Sequence, residues 1–368
     1  MKRTIAIAAL ASAALTLSGC ELGPKQSVQN GHRGTGMDTV TLKKVAMAKD
    51  DVPAPPYESP STEGPRAREV YQNVQVLGDV SEEQFTYTMA AITAWVAPEK
   101  GCNYCHNPEN MASDEIYTKV AARKMLQMTR NINQNWTKHV ATTGVTCWTC
   151  HRGNAIPANY WALPEPGTNG IIGNRHGQNQ PLPASAYSSL PNASLALYLT
   201  GDPKTDKSIR VVSDGMHPTT ANKLSVKETE PQYALMNHIS TSLGVNCTFC
   251  HNAQAFKPWN ISTPKRATAW YGLRMVRDIN GQYISTLKDV FPAHRKGPMG
   301  DPFKVSCATC HQGKSKPMGG YKMAKDYPAL WGSPTATPAA VPAAPAAAPA
   351  APAEPAAPVA GAVTTATH

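Results

Sequence analysis

The apolar positions of this chain first form a block and then become periodic. Residues 5–17 make a run of thirteen apolar-leaning positions behind Lys2 and Arg3. A membrane-spanning helix needs about 20 such residues, and this run closes on Leu17-Ser18-Gly19-Cys20, so residues 1–19 read as a signal peptide. Residues 20–68 are polar, with Pro53, Pro55, Pro56, Pro60 and Pro65 near their end, which predicts an extended arm. Val70, Val74, Val76 and Leu77 then mark the start of a compact body near Glu69. Helix signals predict helices over 81–96, opened by a Ser81-x-x-Gln84 capping pattern, over 115–133, rich in good helix formers, and over 232–243, with Pro231 near its start. Residues 157–226 carry Gly167, Gly170, Gly173, Gly177, Pro181 and Pro183 and read as a connecting loop, apart from a short helix around Ser194–Leu199. Residues 333–368 are almost wholly Pro, Ala and small residues; such a stretch buries no core and reads as a disordered tail.

On this frame sits one motif four times over. Cys102-Asn103-Tyr104-Cys105-His106, Cys147-Trp148-Thr149-Cys150-His151, Cys247-Thr248-Phe249-Cys250-His251 and Cys307-Ala308-Thr309-Cys310-His311 share the form Cys-x-x-Cys-His. In c-type haem attachment two thiols add across the vinyl groups and the adjacent histidine ligates iron from one face. Zinc also uses Cys-x-x-Cys pairs but does not require histidine after each second cysteine. With 11 histidines in 368 residues, four such placements by chance are on the order of one in a million. Four covalent c-type haems follow, held by Cys102, Cys105, Cys147, Cys150, Cys247, Cys250, Cys307 and Cys310. These account for eight of the nine cysteines and leave none for a structural disulfide; the ninth, Cys20, stands where a bacterial lipoprotein takes a diacylglyceryl group. Its two acyl chains suffice for stable anchoring, here on the periplasmic side of the inner membrane.

The units come in pairs. The first and third continue to asparagine (Asn107, Asn252), and the second and fourth reach glycine two residues on (Gly153, Gly313). Residues 125–133, ahead of the second unit, and 272–280, ahead of the fourth, share Leu, Met, Arg, Ile and Asn at the same places. Met89 and Met236 correspond ahead of the first and third. The fold is therefore expected to be mainly α with much irregular chain, a multihaem cytochrome built from two duplicated two-haem halves, 69–156 and 227–332, with pseudo-two-fold symmetry.

His106, His151, His251 and His311 supply one axial ligand each, and what fills the opposite position separates a carrier from a catalyst. Met89 and Met236 are candidates through their alignment. Met125 is a third, with Met128 on roughly the same helix face as its rival. At the fourth unit the position aligned with Met125 is Gly272. Candidates there are Met275, His294 behind Pro292, and His139, which an unbroken helix would return to the face of Met125 some 21 Å further along. His238 aligns with Ala91 and reads as non-ligating. Arg130 and Arg277, aligned in the two halves, are either haem-propionate partners or a solvated helix face.

The formal charge of +10 falls to +8 without Lys2 and Arg3. Eight propionates would offset it, so the basic balance does not point to nucleic acid. Three readings remain open on the residues alone. They are a membrane-anchored electron carrier, a multihaem reductase with an open position at the fourth unit, and an electron wire to some other periplasmic acceptor.

Four Cys-x-x-Cys-His units, three preceded by a methionine helix, a histidine between the first two units and a lipobox cysteine resemble the tetrahaem cytochrome c subunit of purple-bacterial photosynthetic reaction centres. The resemblance covers about 69–330 plus Cys20. It implies that Met89, Met125 and Met236 ligate haems one to three and that His139 ligates haem four. It further implies a near-linear haem row in the order one, two, four, three. Haem three would lie nearest the bacteriochlorophyll special pair on the reaction-centre membrane subunits and re-reduce it. Soluble cytochromes or high-potential iron–sulfur proteins would feed the far end.

Overall fold

A computed structural model describes residues 23–29, 38–43, 52–165, 188–191, 193–201, 226–256 and 258–332. The signal peptide, Cys20, most of the connecting loop and the Pro/Ala tail lie outside the described residues. Within the arm, β1 (Lys25–Gln29) and β2 (Asp38–Leu42) pair antiparallel with Ser27 opposite Val40. The polar composition gave no sign of them, although Val28, Thr39, Val40 and Thr41 are the β-branched residues that suit a strand.

Helix α1 (Glu82–Val96) starts where its sequence says it must. The Ser81 hydroxyl accepts from the Gln84 amide at 3.1 Å, and the Gln84 side chain accepts from the Ser81 amide at 3.3 Å. Tyr87, Ala91 and Trp95 recur every four residues, share one face and are buried together. Helix α2 (Tyr117–Asn135) starts and ends two residues later than the expected 115–133. It does not continue to His139. Trp136, at φ −108° and ψ 29°, breaks it, and His139 rides on a separate turn, α3 (Thr137–Val140). The second unit is itself a short helix, α4 (Cys147–His151). Helix α5 (Ser194–Leu199) stands as expected. Helix α6 (Val226–Leu243) begins six residues before the expected start and carries Pro231 inside it. Helix α7 (Pro264–Asp278) opens on a proline, whose missing amide hydrogen costs nothing there, and runs on into a π-helical stretch, Ile279–Ile284. The fourth unit is α8 (Cys307–His311).

Local hydrogen bonding recurs at aligned positions of 69–156 and 227–332. The Asn133 amide donates to Val145 O at 3.0 Å and accepts from the Val145 amide at 2.7 Å; Asn280 does the same with Val305 at 2.9 and 3.0 Å. The Gly153 amide donates to Trp95 O, and the Gly313 amide to Ser242 O. At Gly244, with φ +62°, an added Cβ would strike the Gly313 carbonyl, so only glycine lets α6 end against the fourth unit.

The packing partners of α2 and α7 are exchanged relative to chain order. The Arg130 Nε donates to Ala329 O at 2.8 Å, and Asn133 donates to Leu330 O at 2.9 Å. Arg277 Nε of α7 donates to Tyr198 O at 2.6 Å, and Asn280, in the π-helical stretch that follows, donates to Leu199 O at 2.9 Å. Thus α5 straps the second pair of helices, while the last described residues return to strap the first. Met318, Met323, Tyr327, Ala329 and Leu330 join Leu77, Tyr87, Trp95 and Leu126 in one core. Residues 317–332 follow the fourth unit in sequence but pack with the first two.

Candidate haem-binding site

Each Cys-x-x-Cys-His segment begins with a single short helical turn. In α4 and α8 the hydroxyls of Thr149 and Thr309 accept from the amides of Thr146 and Ser306 at 3.0 and 2.9 Å. Arg152 and Gln312 then adopt left-handed conformations, φ 49° and 50°, which turn the chain back under the histidine. His151 Nδ1 consequently meets Asn154 O at 2.8 Å, and His311 Nδ1 meets Lys314 O at 2.8 Å. The first and third units are 3₁₀ turns, Gly101–Tyr104 and Cys247–Phe249, and their loops are longer. There His106 Nδ1 lies 3.1 Å from Met111 O, and His251 Nδ1 lies 3.0 Å from Phe256 O. Thr118 and Thr263 pin the two turns by donating to Tyr104 O and Phe249 O.

A carbonyl only accepts, so in all four rings Nδ1 carries the proton and Nε2 keeps its lone pair for a metal. A fifth histidine does the same: His139 Nδ1 lies 2.9 Å from Thr268 O, a carbonyl of α7. Its ring centre is 6.0 Å from that of His311, with the planes at 68°. Two imidazoles sharing one metal, each nitrogen about 2 Å from it, place their ring centres roughly 6 Å apart. His139 also explains Gly272. A Cβ there would stand 2.5 Å from His139 Cε1 and 2.8 Å from its Nδ1, so the imidazole occupies the side-chain space of the position aligned with Met125. The unbroken-helix route to His139 is thereby replaced: α3 delivers the ring across to α7. His294 sits exposed on the Ala293–Arg295 turn. His238 is buried, with Nε2 3.4 Å from the Ser242 hydroxyl.

Burial lowers the pKa of His139, His151 and His251, and pushes that of His311 down to about 4 with His139 adding to the effect. These rings are held neutral, the form that ligates metal. Desolvation pushes the Cys147 and Cys307 thiols up to about 12. Both remain partly accessible because they face a cavity rather than bulk water. That cavity, about 1080 Å³, is continuous past the cysteines and histidines of the first, second and fourth units and reaches Cys250 of the third. It is larger than an ordinary small-molecule pocket of about 300–1,000 Å³. Met89, Met125, Met128, Met275 and His139 line it; Met236 packs instead beside the core of α5, α6 and α7. Met275 is buried in the core that Met125 and Met128 flank. The Cys310 thiol, followed by burial, holds Cys150 well above the ordinary thiol range, so the second and fourth units meet at their sulfurs. Flat macrocycles with paired vinyl attachment fit these features. Among the described residues no three His, Cys, Asp or Glu side chains converge on one point.

One expectation changes. Arg130 and Arg277 do not form a solvated helix face; they are 3% and 4% exposed and clamp backbone carbonyls of the two straps. Arg295, which no motif marked, bridges units instead, donating to the Tyr104 hydroxyl and to Ala155 O, each at 3.2 Å. Its partners lie 191 and 140 residues away in sequence, which is why no local pattern reveals it.

The comparison with known proteins agrees with this geometry. The sequence model of the family described as the photosynthetic reaction centre cytochrome C subunit matches residues 21–331. The photosynthetic reaction center cytochrome c subunit of Rubrivivax gelatinosus is 47% identical over 333 residues, covering 89% of this chain and 90% of that one. That of Thermochromatium tepidum is 48% identical over 327 residues, covering 88% and 80%. Cytochrome c-554 of Chloroflexus aurantiacus is more distant, at 27% over 305 residues, 68% of this chain and 71% of that one. The chain belongs to the family of photosynthetic reaction centre cytochrome c subunits.

Proposed function

We propose that this protein is a tetrahaem electron carrier that re-reduces the photo-oxidised bacteriochlorophyll special pair of a reaction centre, using electrons from a soluble periplasmic cytochrome or high-potential iron–sulfur protein. Family membership makes it an electron carrier rather than an enzyme, with covalently bound c-type haem. The observation that carries the fuller reading is the set of five histidines whose Nδ1 is tied to a carbonyl, four from the units and His139 opposite His311. When bound, the haems supply reversible one-electron chemistry. The cysteine pairs would hold four of them, with His106, His151, His251 and His311 supplying one iron ligand each and Met89, Met125, Met236 and His139 the second. Met125 is preferred to Met128 because the aligned Gly272 yields its space to the ligand of the fourth unit. The reductase reading loses its motive for the same reason, since the His139 imidazole fills the side-chain space beside Gly272.

Thioether ligands favour ferrous iron more than imidazole does, so the three methionines set higher potentials than His139. The two halves are duplicates about a pseudo-two-fold. The contact between Cys150 and Cys310, with Arg295 between the first and second units, supports the row one, two, four, three. No helix among the described residues is long and apolar enough to cross a membrane, and a diacylglyceryl group on Cys20 anchors the protein at the periplasmic face. The test is a potentiometric titration coupled to flash excitation of membranes. Three higher midpoints, one low one and rapid flash-induced oxidation of c-haem are expected. A strain that makes the protein beside a reaction centre yet shows no such oxidation would refute the assignment.

A further inference from the structure

The first turn of α2 holds a cation where helix electrostatics oppose one. Lys119 lies near the helix N-terminus, whose partial positive charge disfavours ammonium groups, and that turn contains no acid to offset it. Its side chain is 9% exposed, and burial lowers its pKa. What holds it there is the loop after the first unit. Lys119 Nζ donates to Met111 O and to Ser113 O, each at 2.7 Å, and stands 3.4 Å from Asp114 Oδ1. Three acceptors call for three N–H donors, which only the ammonium form has. Arg123 makes a two-point contact with the same carboxylate, both distances 2.7 Å, so Lys119, Arg123 and Asp114 together keep one net positive charge.

Met111 O is also the carbonyl that holds His106 Nδ1, at 3.1 Å. One oxygen therefore serves two donors, and the shorter, charge-assisted bond from Lys119 draws on its electron density. We infer that Lys119 is a tuning residue for the first haem: by sharing Met111 O it weakens the His106 Nδ1–H bond and raises the reduction potential of the iron that His106 ligates. The direction follows from ligand basicity. A histidine whose Nδ1–H is strongly held gains imidazolate character and favours ferric iron; one held by a competed carbonyl is a poorer donor and favours ferrous. The positive charge beside the ligand acts in the same direction. In the corresponding loop of the third unit, Arg266 donates to Pro258 O at 3.0 Å and to the Ser262 hydroxyl at 2.8 Å, so a cation secures both loops, with Lys119 placed on the histidine's own acceptor.

The inference rests on the reading that His106 and Met89 ligate a haem iron. The experiment is a potentiometric titration of the intact protein in membranes. Met89→His first identifies the midpoint that belongs to the first unit; if it moves none, the ligand reading fails, independently of Lys119. Lys119→Met is then expected to lower that midpoint by a shift equivalent to about tenfold in the reduced-to-oxidised ratio, about 59 mV for a one-electron couple, leaving the other three in place. It should also move the largest g value of that ferric haem in electron paramagnetic resonance. Lys119→Arg, which keeps charge and donors, should stay within about threefold of the parent. Lys119→Gln serves where the methionine variant does not accumulate, and must lower the same midpoint. The proposal is overturned if the first midpoint stays within twofold in Lys119→Met, if it rises, if all four midpoints move together, or if Lys119→Arg lowers it as far as Lys119→Met.

Discussion

At the scale of single residues, the site turns on which atoms are left free. Gly272 is the sharpest case, because it acts through a side chain it lacks. In Gly272→Ala the new Cβ meets His139 2.5 Å away, and no flexible chain end is there to yield, only a ring tied to Thr268 O. The imidazole has to withdraw from His311, so the reduced variant should bind carbon monoxide at one haem, as should His139→Ala, while the parent binds none. A carbon monoxide difference spectrum reads this, and a parent-like spectrum from both variants would show that His139 is not the ligand. The four Cys-x-x-Cys-His units are legible in the sequence, since their spacing is short and fixed. The carbonyls of Thr268 and Met111 are not legible. Any residue supplies a carbonyl, and which one faces a given ring is decided by how distant segments pack.

At the scale of elements, one clamp lies in the last turn of α2 and its counterpart in the π-helical stretch after α7. Asn133 and Asn280 are each fully buried and each join three segments through three hydrogen bonds. Replacing either by alanine strands buried backbone groups of the following loop and of the strap, which should cost about 3 kcal/mol. Equal losses in Asn133→Ala and Asn280→Ala, read by chemical denaturation, are expected; a cost below about 1 kcal/mol in either would mean that the clamp does not hold its strap. Helix α1 was readable to within a residue because its capping box is written in Ser81 and Gln84. The break at Trp136 was not, because no glycine or proline marks it and α2 ends through tertiary contacts: the Trp136 indole donates to Asp278 of α7 at 2.9 Å. The paired strands escaped because five-residue segments in a polar arm carry no burial period.

At the scale of the whole molecule, the fourfold Cys-x-x-Cys-His motif is plain in the sequence but the exchange of straps is invisible. Both straps engage through backbone oxygens, so their side chains need not resemble one another, and Tyr198-Leu199 and Ala329-Leu330 share only the leucine. Deleting residues from Met323 onward removes Met323, Tyr327 and Leu330, each almost fully buried, at a cost of roughly 5 kcal/mol or more. The damage should fall at the far end of the sequence. Limited proteolysis of that truncated protein is expected to cut first within 69–156, and preferential cleavage within 227–320 would contradict the packing. The same exchange imposes a schedule on biogenesis. Arg130, Asn133 and Gln134 find their partners 197 to 199 residues later. At about 5–20 residues per second, the first pair of helices waits roughly 10–40 s for its strap to be made. The core around α1 and α2 therefore closes only once residues 323–331 have been made, and until then the first two Cys-x-x-Cys-His segments stay accessible.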